Sequence, residues 1–153
     1  MTIGPYQPLG WETMTKKSFG RKTYQRRDGG LGSIAVLVSY MALIFILSSM
    51  PSDAGEVGHL VAVIPSTIQK AGHFLAFGFL AWLWIWTLRA HGVPKRRRMV
   101  AAFVLTSAYG ALTEFYQILV PGRFPLVTDF LLDLGGTLFF LWLYWKLEPL
   151  GTL

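Results

Sequence analysis

Four ionisable side chains, His73, Glu114, Asp129 and Asp133, lie inside stretches otherwise apolar enough to cross a lipid bilayer. An imidazole and carboxylates are the groups that move protons near neutral pH or ligate divalent cations. A charge at the centre of a membrane helix costs roughly 2.5 to 3.5 kcal/mol on the insertion scale, so such residues normally face a bundle interior or a wet cavity. Asp129 and Asp133 are one helical turn apart, and two carboxylates that close in a low dielectric disfavour joint ionisation and titrate as a coupled pair.

The elements that must position these groups follow from composition and hydropathy. Of 153 residues, 53% are hydrophobic, 15% aromatic and only 14% charged, which points to lipid rather than water as the solvent. Cysteine is absent, so disulfide and thiolate chemistry are excluded. Four apolar stretches, 31 to 50, 71 to 88, 99 to 120 and 126 to 145, each approach the ~20 residues a membrane helix needs. The expected fold is an all-α, integral membrane four-helix bundle. Residues 1 to 30 are basic and rich in Gly, Pro and Gln with no apolar period, and read as a disordered tail. Residues 147 to 153 read as a short C-terminal tail. The first stretch, LGSIAVLVSYMALIFILSSM, is longer than the core of a signal peptide and no small-x-small cleavage pattern follows it, so it is expected to be a retained span. Ser66 and Gln69 have capping-box spacing at the start of the second helix, and Gly92 and Pro94 mark its end. Pro125 marks the start of the fourth.

The cations give an orientation. Six Lys and Arg precede the first span, five lie between Arg89 and Arg98, and Lys146 follows the fourth, leaving Lys70 and Arg123 for the other side. Lys- and Arg-rich short loops stay cytoplasmic, so both termini are expected inside the cell membrane. The net charge of +6 is thus juxtamembrane and no nucleic-acid partner is implied. In that orientation Glu114 falls ~9 Å below the outer boundary at 1.5 Å per residue, and Asp129 and Asp133 lie within ~10 Å of it. His73 is shallower, with Lys70 and Arg123 at the rim. Gly110, Glu114 and Gln117 follow i, i+4, i+7, as do Asp129, Asp133 and Gly136, while Lys70, His73 and Phe77 follow i, i+3, i+7. The polar stripes are expected to face each other, with Gly110 and Gly136 allowing close helix packing. The Trp82, Trp84 and Trp86 run and Trp142 and Trp145 fall toward the inner boundary as an aromatic belt.

At this point the motifs resemble a family. KAGHFLAFGFLAWLW is similar to the K-x-x-H-F motif of VanZ-like membrane proteins, and LTEFYQILVPGRFPLVTDFLLDLGG resembles their E-x-x-Q, R and D-x-x-x-N-x-x-G signature. The resemblance covers roughly residues 31 to 146 and implies Lys70, His73, Glu114, Gln117, Arg123, Asp129 and Gly136 as family-type residues. Asp133 stands where the family usually has Asn, which adds a negative charge. The resemblance implies a cell-envelope context linked to resistance to the glycopeptide teicoplanin, without an assigned reaction.

The leading expectation is an outer-leaflet polar pocket that binds or acts on an anionic, lipid-linked envelope component through Lys70, Gln117 and Arg123, with His73, Glu114, Asp129 and Asp133 as proton donors and acceptors. Whether this is catalysis or binding is open at this level. The alternatives are a small proton-coupled transporter or accessory subunit, and a structural membrane partner whose ion pairs fix helix packing; an oligomer is open. No resident cofactor is expected. A divalent metal has suitable donors, but no H-x-x-x-H or H-E-x-x-H spacing occurs. Ser48 and Ser49 lack a nucleophile elbow.

Overall fold

A computed structural model describes residues 29–50, 65–121 and 126–148. Among them are four helices and no strand: α1 (Gly29–Ser48), α2 (Ser66–Ala90), α3 (Lys95–Gln117) and α4 (Val127–Leu147). They contain 20, 25, 23 and 21 residues, and each is long and apolar enough to cross a membrane. The two tails, the α1–α2 connection and residues 122–125, with Arg123 and Pro125, lie outside the described residues.

The arrangement is organised around α2, which packs most extensively on α4 and also touches α3 and α1; α1 does not reach α4. The α2–α4 contact is close because glycines meet there. A Cβ on Gly136 would run into the backbone carbonyl of Phe74, and one on Gly78 would meet the Phe140 ring. Without a hydrophobic drive between helices in lipid, this backbone proximity supplies the van der Waals contact that holds a pair together. α1 is attached differently. Leu37 and Ile44 pack against Phe77, Leu80 and Leu83. Two tyrosines then staple it through backbone carbonyls: Tyr40 donates to Ala76 at 3.2 Å and Tyr109 donates to Met41 at 2.6 Å.

The exterior is apolar, with Leu31, Phe115, Leu119 and Val127 among the exposed residues, while Ser33, Thr106, Thr113, Asp133 and Thr137 are buried. That inversion relative to a water-soluble protein is what a lipid solvent requires. Trp82, Trp86, Trp142 and Trp145 are also on the outside.

Helix ends differ from the sequence reading in instructive ways. α2 starts at Ser66, but the capping box does not form: Pro65 is the N-cap, no side chain caps it, and the amides of Ile68 and Gln69 donate to its carbonyl. Ser66 is already helical, one position too late to cap. The far end of α2 closes as a Schellman turn, with Gly92 at φ 74° and the amides of Gly92 and Val93 donating to Arg89 and Leu88. Pro94 then starts α3 at Lys95 rather than at 99, so the basic run Lys95 to Arg98 is a helical turn and not a loop.

The start of α3 therefore sets four cations against the positive end of its own helix dipole, an unfavourable arrangement by itself. Glu148, just past α4, offsets it. Its carboxylate lies 2.6 Å from buried Arg98 and 3.0 Å from Arg89, accepts the Tyr144 hydroxyl, and its carbonyl accepts from Lys95. Glu148, the last described residue, is thus held to α2 and α3. We call this the basic end of the bundle, and the opposite end the acidic end.

Replacing Gly136 with Ala should lower stability by about 1 to 3 kcal/mol, since α2 and α4 must separate to admit the methyl group. Gly32→Ala, where nothing lies within 4 Å of the added carbon, should instead be neutral or stabilising by up to about 1 kcal/mol. Thermal unfolding in one detergent compares the two.

Candidate functional site

The acidic end collects the carboxyl terminus of α3 and the amino termini of α2 and α4. His73, about two turns into α2, donates from Nδ1 to Asp133 Oδ1 of α4 at 3.0 Å. Its Nε2 lies 3.9 Å from Asp129 Oδ2, one turn earlier on the same helix. Both ring nitrogens therefore face carboxylates. This register follows from packing: the Phe74–Gly136 backbone contact is one residue further along α2 and three further along α4, and it brings His73 within reach of Asp133.

Glu114 enters from α3. Its Oε2 accepts the amide of Leu126, the N-cap residue of α4, at 3.3 Å. A side chain of one helix thereby satisfies an amide at the start of another, where no local side chain does so. One donor atom each from His73, Glu114 and Asp133 can be chosen within 4.8 Å of one another. Gly110 completes the corner, since a Cβ there would sit 3.3 Å from Asp133 Oδ2 and 3.2 Å from the Phe77 ring.

Two features give the cluster chemical content. Glu114 and Asp133 are 8% and 2% exposed, and in each one carboxylate oxygen, Oε1 and Oδ2, is buried without a hydrogen-bond partner. A buried carboxylate oxygen without a donor is costly, so it calls for a proton or a cation. Asp129 is in the first turn of α4, at the positive end of that helix, which lowers the cost of its negative charge.

In front of His73 is a cavity of about 230 Å³ between α1, α2 and α3. Ile44, Leu47, Ala76 and Phe77 give it apolar walls, and Ser48, Gln69, His73, Thr113 and Gln117 give it polar ones. None of the three carboxylates lines it, and among the described residues His73 is its one ionisable lining residue. Ser48 is there, but its hydroxyl donates to Ile44 and Phe45 of its own helix, as Ser49 donates to Phe45. A nucleophilic role has no support in that geometry.

The structure thus brings His73, Glu114, Asp129 and Asp133 together, with Gly110 and Gly136 at the contacts that hold them, and places buried Gln117 on the cavity wall. Lys70 does not join: it is exposed and forms no ion pair among the described residues. Arg123 lies outside the described residues. The sequence reading did not single out the Glu148 network, although an acid beside Lys146 on the cation-rich side was its signal.

Four apolar helices enclosing a histidine–carboxylate cluster define a multi-pass membrane protein with a polar centre at one end. The model of the VanZ/LLP1 family matches residues 10–148, and the chain belongs to that family. Its match begins within the basic segment, well before α1. No curated protein and no solved structure matches the chain.

Removing the imidazole strands Asp133, so His73→Ala should cost about 3 to 5 kcal/mol, the range for breaking a buried pair from one side. Adding Asp133→Leu to that variant should recover part of the loss. A double-mutant cycle by chemical unfolding should give a coupling of about 1 to 3 kcal/mol; additive effects would mean the two residues do not share a proton.

Proposed function

We propose that this VanZ-like protein binds an anionic, lipid-linked envelope component at the acidic end, in the outer leaflet of the cell membrane. The cation-rich basic end and both termini are cytoplasmic in this reading, as the positive-inside rule directs. The cavity in front of His73 carries the proposal. Its about 230 Å³ falls short of the roughly 300 to 1,000 Å³ of pockets that enclose a whole drug-sized ligand. That size suits a phosphate-bearing head group, with the hydrocarbon chain lying along the apolar flank of α1 and α2.

The division of polarity supports an anion. The carboxylates are on the far side of the imidazole, so the ligand meets His73, Gln117 and Thr113 rather than negative charge. Lys70, next to Gln69 of the cavity wall, adds a rim cation, and Arg123 is assigned the same role by its place in the sequence motif. His73, with Nδ1 on Asp133 and Nε2 toward Asp129, is the group that would stay charged beside the bound phosphate.

Lys70→Ala should weaken binding of a polyprenyl phosphate to nanodisc-embedded protein by up to about fivefold, the yield of one exposed ion pair. Leu47→Trp, which fills the cavity from α1, should abolish it. Native mass spectrometry of the two variants against the parent reads both effects; unchanged lipid occupancy in each would remove the pocket as a binding site.

One observation favours a second reading, a proton-coupled transporter or accessory subunit. The buried face of α3 runs Arg98, Ala102, Thr106, Gly110, Thr113, Glu114 and Gln117 from one end of the helix to the other, polar except at Ala102 and Gly110. Thr106 Oγ1 and the neighbouring Ser107 Oγ are buried without partners, as relay hydroxyls would be between ligands. If that stripe carries protons, liposomes with the parent protein should dissipate an imposed pH gradient, and Thr106→Val should slow it at least severalfold. Equal leak in protein-free vesicles dismisses this reading.

A further inference from the structure

We infer that the carboxylate side of His73 is a binding site for one divalent transition-series cation, held by a His73 ring nitrogen and one oxygen each of Glu114 and Asp133, with Asp129 as an outer partner. This goes beyond the lipid reading and shares only His73 with it, because the three carboxylates do not line the cavity where the lipid head group is placed.

Geometry is the first support. The three donor atoms lie within 4.8 Å of one another. Ligands at ~2.0 to 2.2 Å from a shared ion sit roughly 3.3 to 3.6 Å apart in a tetrahedral site, so closure needs side-chain shifts of about 1 Å. His73 Nδ1 and Asp133 Oδ1 are 3.0 Å apart, a hydrogen-bond distance a little shorter than that edge, so an ion would replace this hydrogen bond with little movement. Glu114, Asp133 and His73 come from three helices, so the ion would cross-link α2, α3 and α4. The helices are fixed independently of it by the Gly136–Phe74 approach.

The second support is the pair of unpartnered oxygens. Glu114 Oε1 and Asp133 Oδ2 belong to side chains 8% and 2% exposed, and neither finds a donor. Gly110 leaves open the flank of Asp133 Oδ2, where any side chain would begin 3.3 Å away. A bound cation satisfies both oxygens at once.

Charge is the third. Glu114, Asp129 and Asp133 sum to −3 with His73 neutral, and no Lys or Arg pairs with any of them among the described residues. A divalent ion reduces this to −1. The donor set selects the class of ion: carboxylate oxygens suit Mg²⁺, Ca²⁺ and Mn²⁺, and the added nitrogen ligand shifts preference toward Zn²⁺, with Mn²⁺ a weaker occupant of the same donors.

The test uses the full chain in nanodiscs, stripped with a chelator and titrated with Mn²⁺ under electron paramagnetic resonance, then with Zn²⁺ in competition. One Mn²⁺ per chain is expected, displaced by Zn²⁺ and not by equimolar Mg²⁺. Glu114→Gln and Asp133→Asn should each weaken binding at least about tenfold, the lower bound for loss of even an outer partner, while exposed Lys146→Gln at the other end should leave it unchanged. Should Asp133→Asn fail to fold, Glu114→Gln, which keeps an acceptor for the Leu126 amide, still decides. Infrared spectra give a separate readout: a protonated carboxyl band in the stripped protein should vanish on Zn²⁺ addition. Absence of stoichiometric Mn²⁺ binding, or a carboxyl band that persists at saturating Zn²⁺, would show that protons occupy the site and overturn the inference.

Discussion

The contact between His73 and Asp133 is the interaction on which the acidic end depends. Asp133 is 2% exposed in a chain whose exterior is apolar, and an unpaired carboxylate there would carry several kcal/mol of desolvation. The imidazole at 3.0 Å offsets that cost, and it can do so only because α2 and α4 approach at Gly136 and Phe74 without an intervening side chain. A glycine contact that looks like packing alone is therefore also an electrostatic requirement. Helix spacing and charge compensation are the same constraint seen at two atoms of one interface.

The two ends of the bundle solve opposite electrostatic problems. At the basic end, four cations in the first turn of α3 oppose their helix dipole, and one acid, Glu148, gathers Arg98, Arg89, Lys95 and Tyr144 around it. That network is compensated in charge: Glu148 faces the guanidinium groups of Arg98 and Arg89, although its Oε1 and Arg98 Nε make no hydrogen bond, and Arg89 is half-exposed to solvent or head groups. At the acidic end the balance is left open. Three carboxylates share one histidine, and the amino terminus of α4 reduces the cost of Asp129 without supplying a counter-charge of full strength. Structural ion pairs tend toward charge compensation, as at Glu148. The surplus of acceptors around His73 is what separates a candidate site from a helix staple.

The spans and the meeting of His73, Glu114, Asp129 and Asp133 were legible because an apolar sequence makes each ionisable residue conspicuous and helical spacing assigns its face. Gly110 and Gly136 were legible for the same reason. Local helix-end chemistry was less so: Ser66 and Gln69 have capping-box spacing, yet Pro65 takes the cap position, and spacing does not reveal which residue of a pair is the first to be helical. The basic run was read as a loop because it falls between two apolar stretches, and cations are disfavoured in a first helical turn. Only a tertiary partner, Glu148, reverses that preference, and no local rule places residue 148 beside residue 98. Lys70 shares a helical stripe with His73 but sits a turn closer to the end, where the neighbouring helices no longer cover it. A stripe predicts a direction, not the depth to which it is enclosed.

The remaining question is why the ligand-facing cavity and the carboxylates should be divided by a single ring. If His73 only anchored helices, its two nitrogens would need no more than one acceptor, and the cavity on its other side would serve no purpose. A ring with carboxylates at Nδ1 and Nε2 and an apolar cleft along its edge is arranged to be charged on demand: a proton or a cation on the acid side changes the field felt on the cleft side. The change is transmitted through a ring about 2 Å across rather than through helix motion. An anion in the cleft and a cation among the carboxylates would then favour each other's binding, since each lessens the electrostatic cost the other meets. Occupancy of the two sides would rise together, and the number of carboxylates, one more than a structural pair needs, is what makes that coupling available.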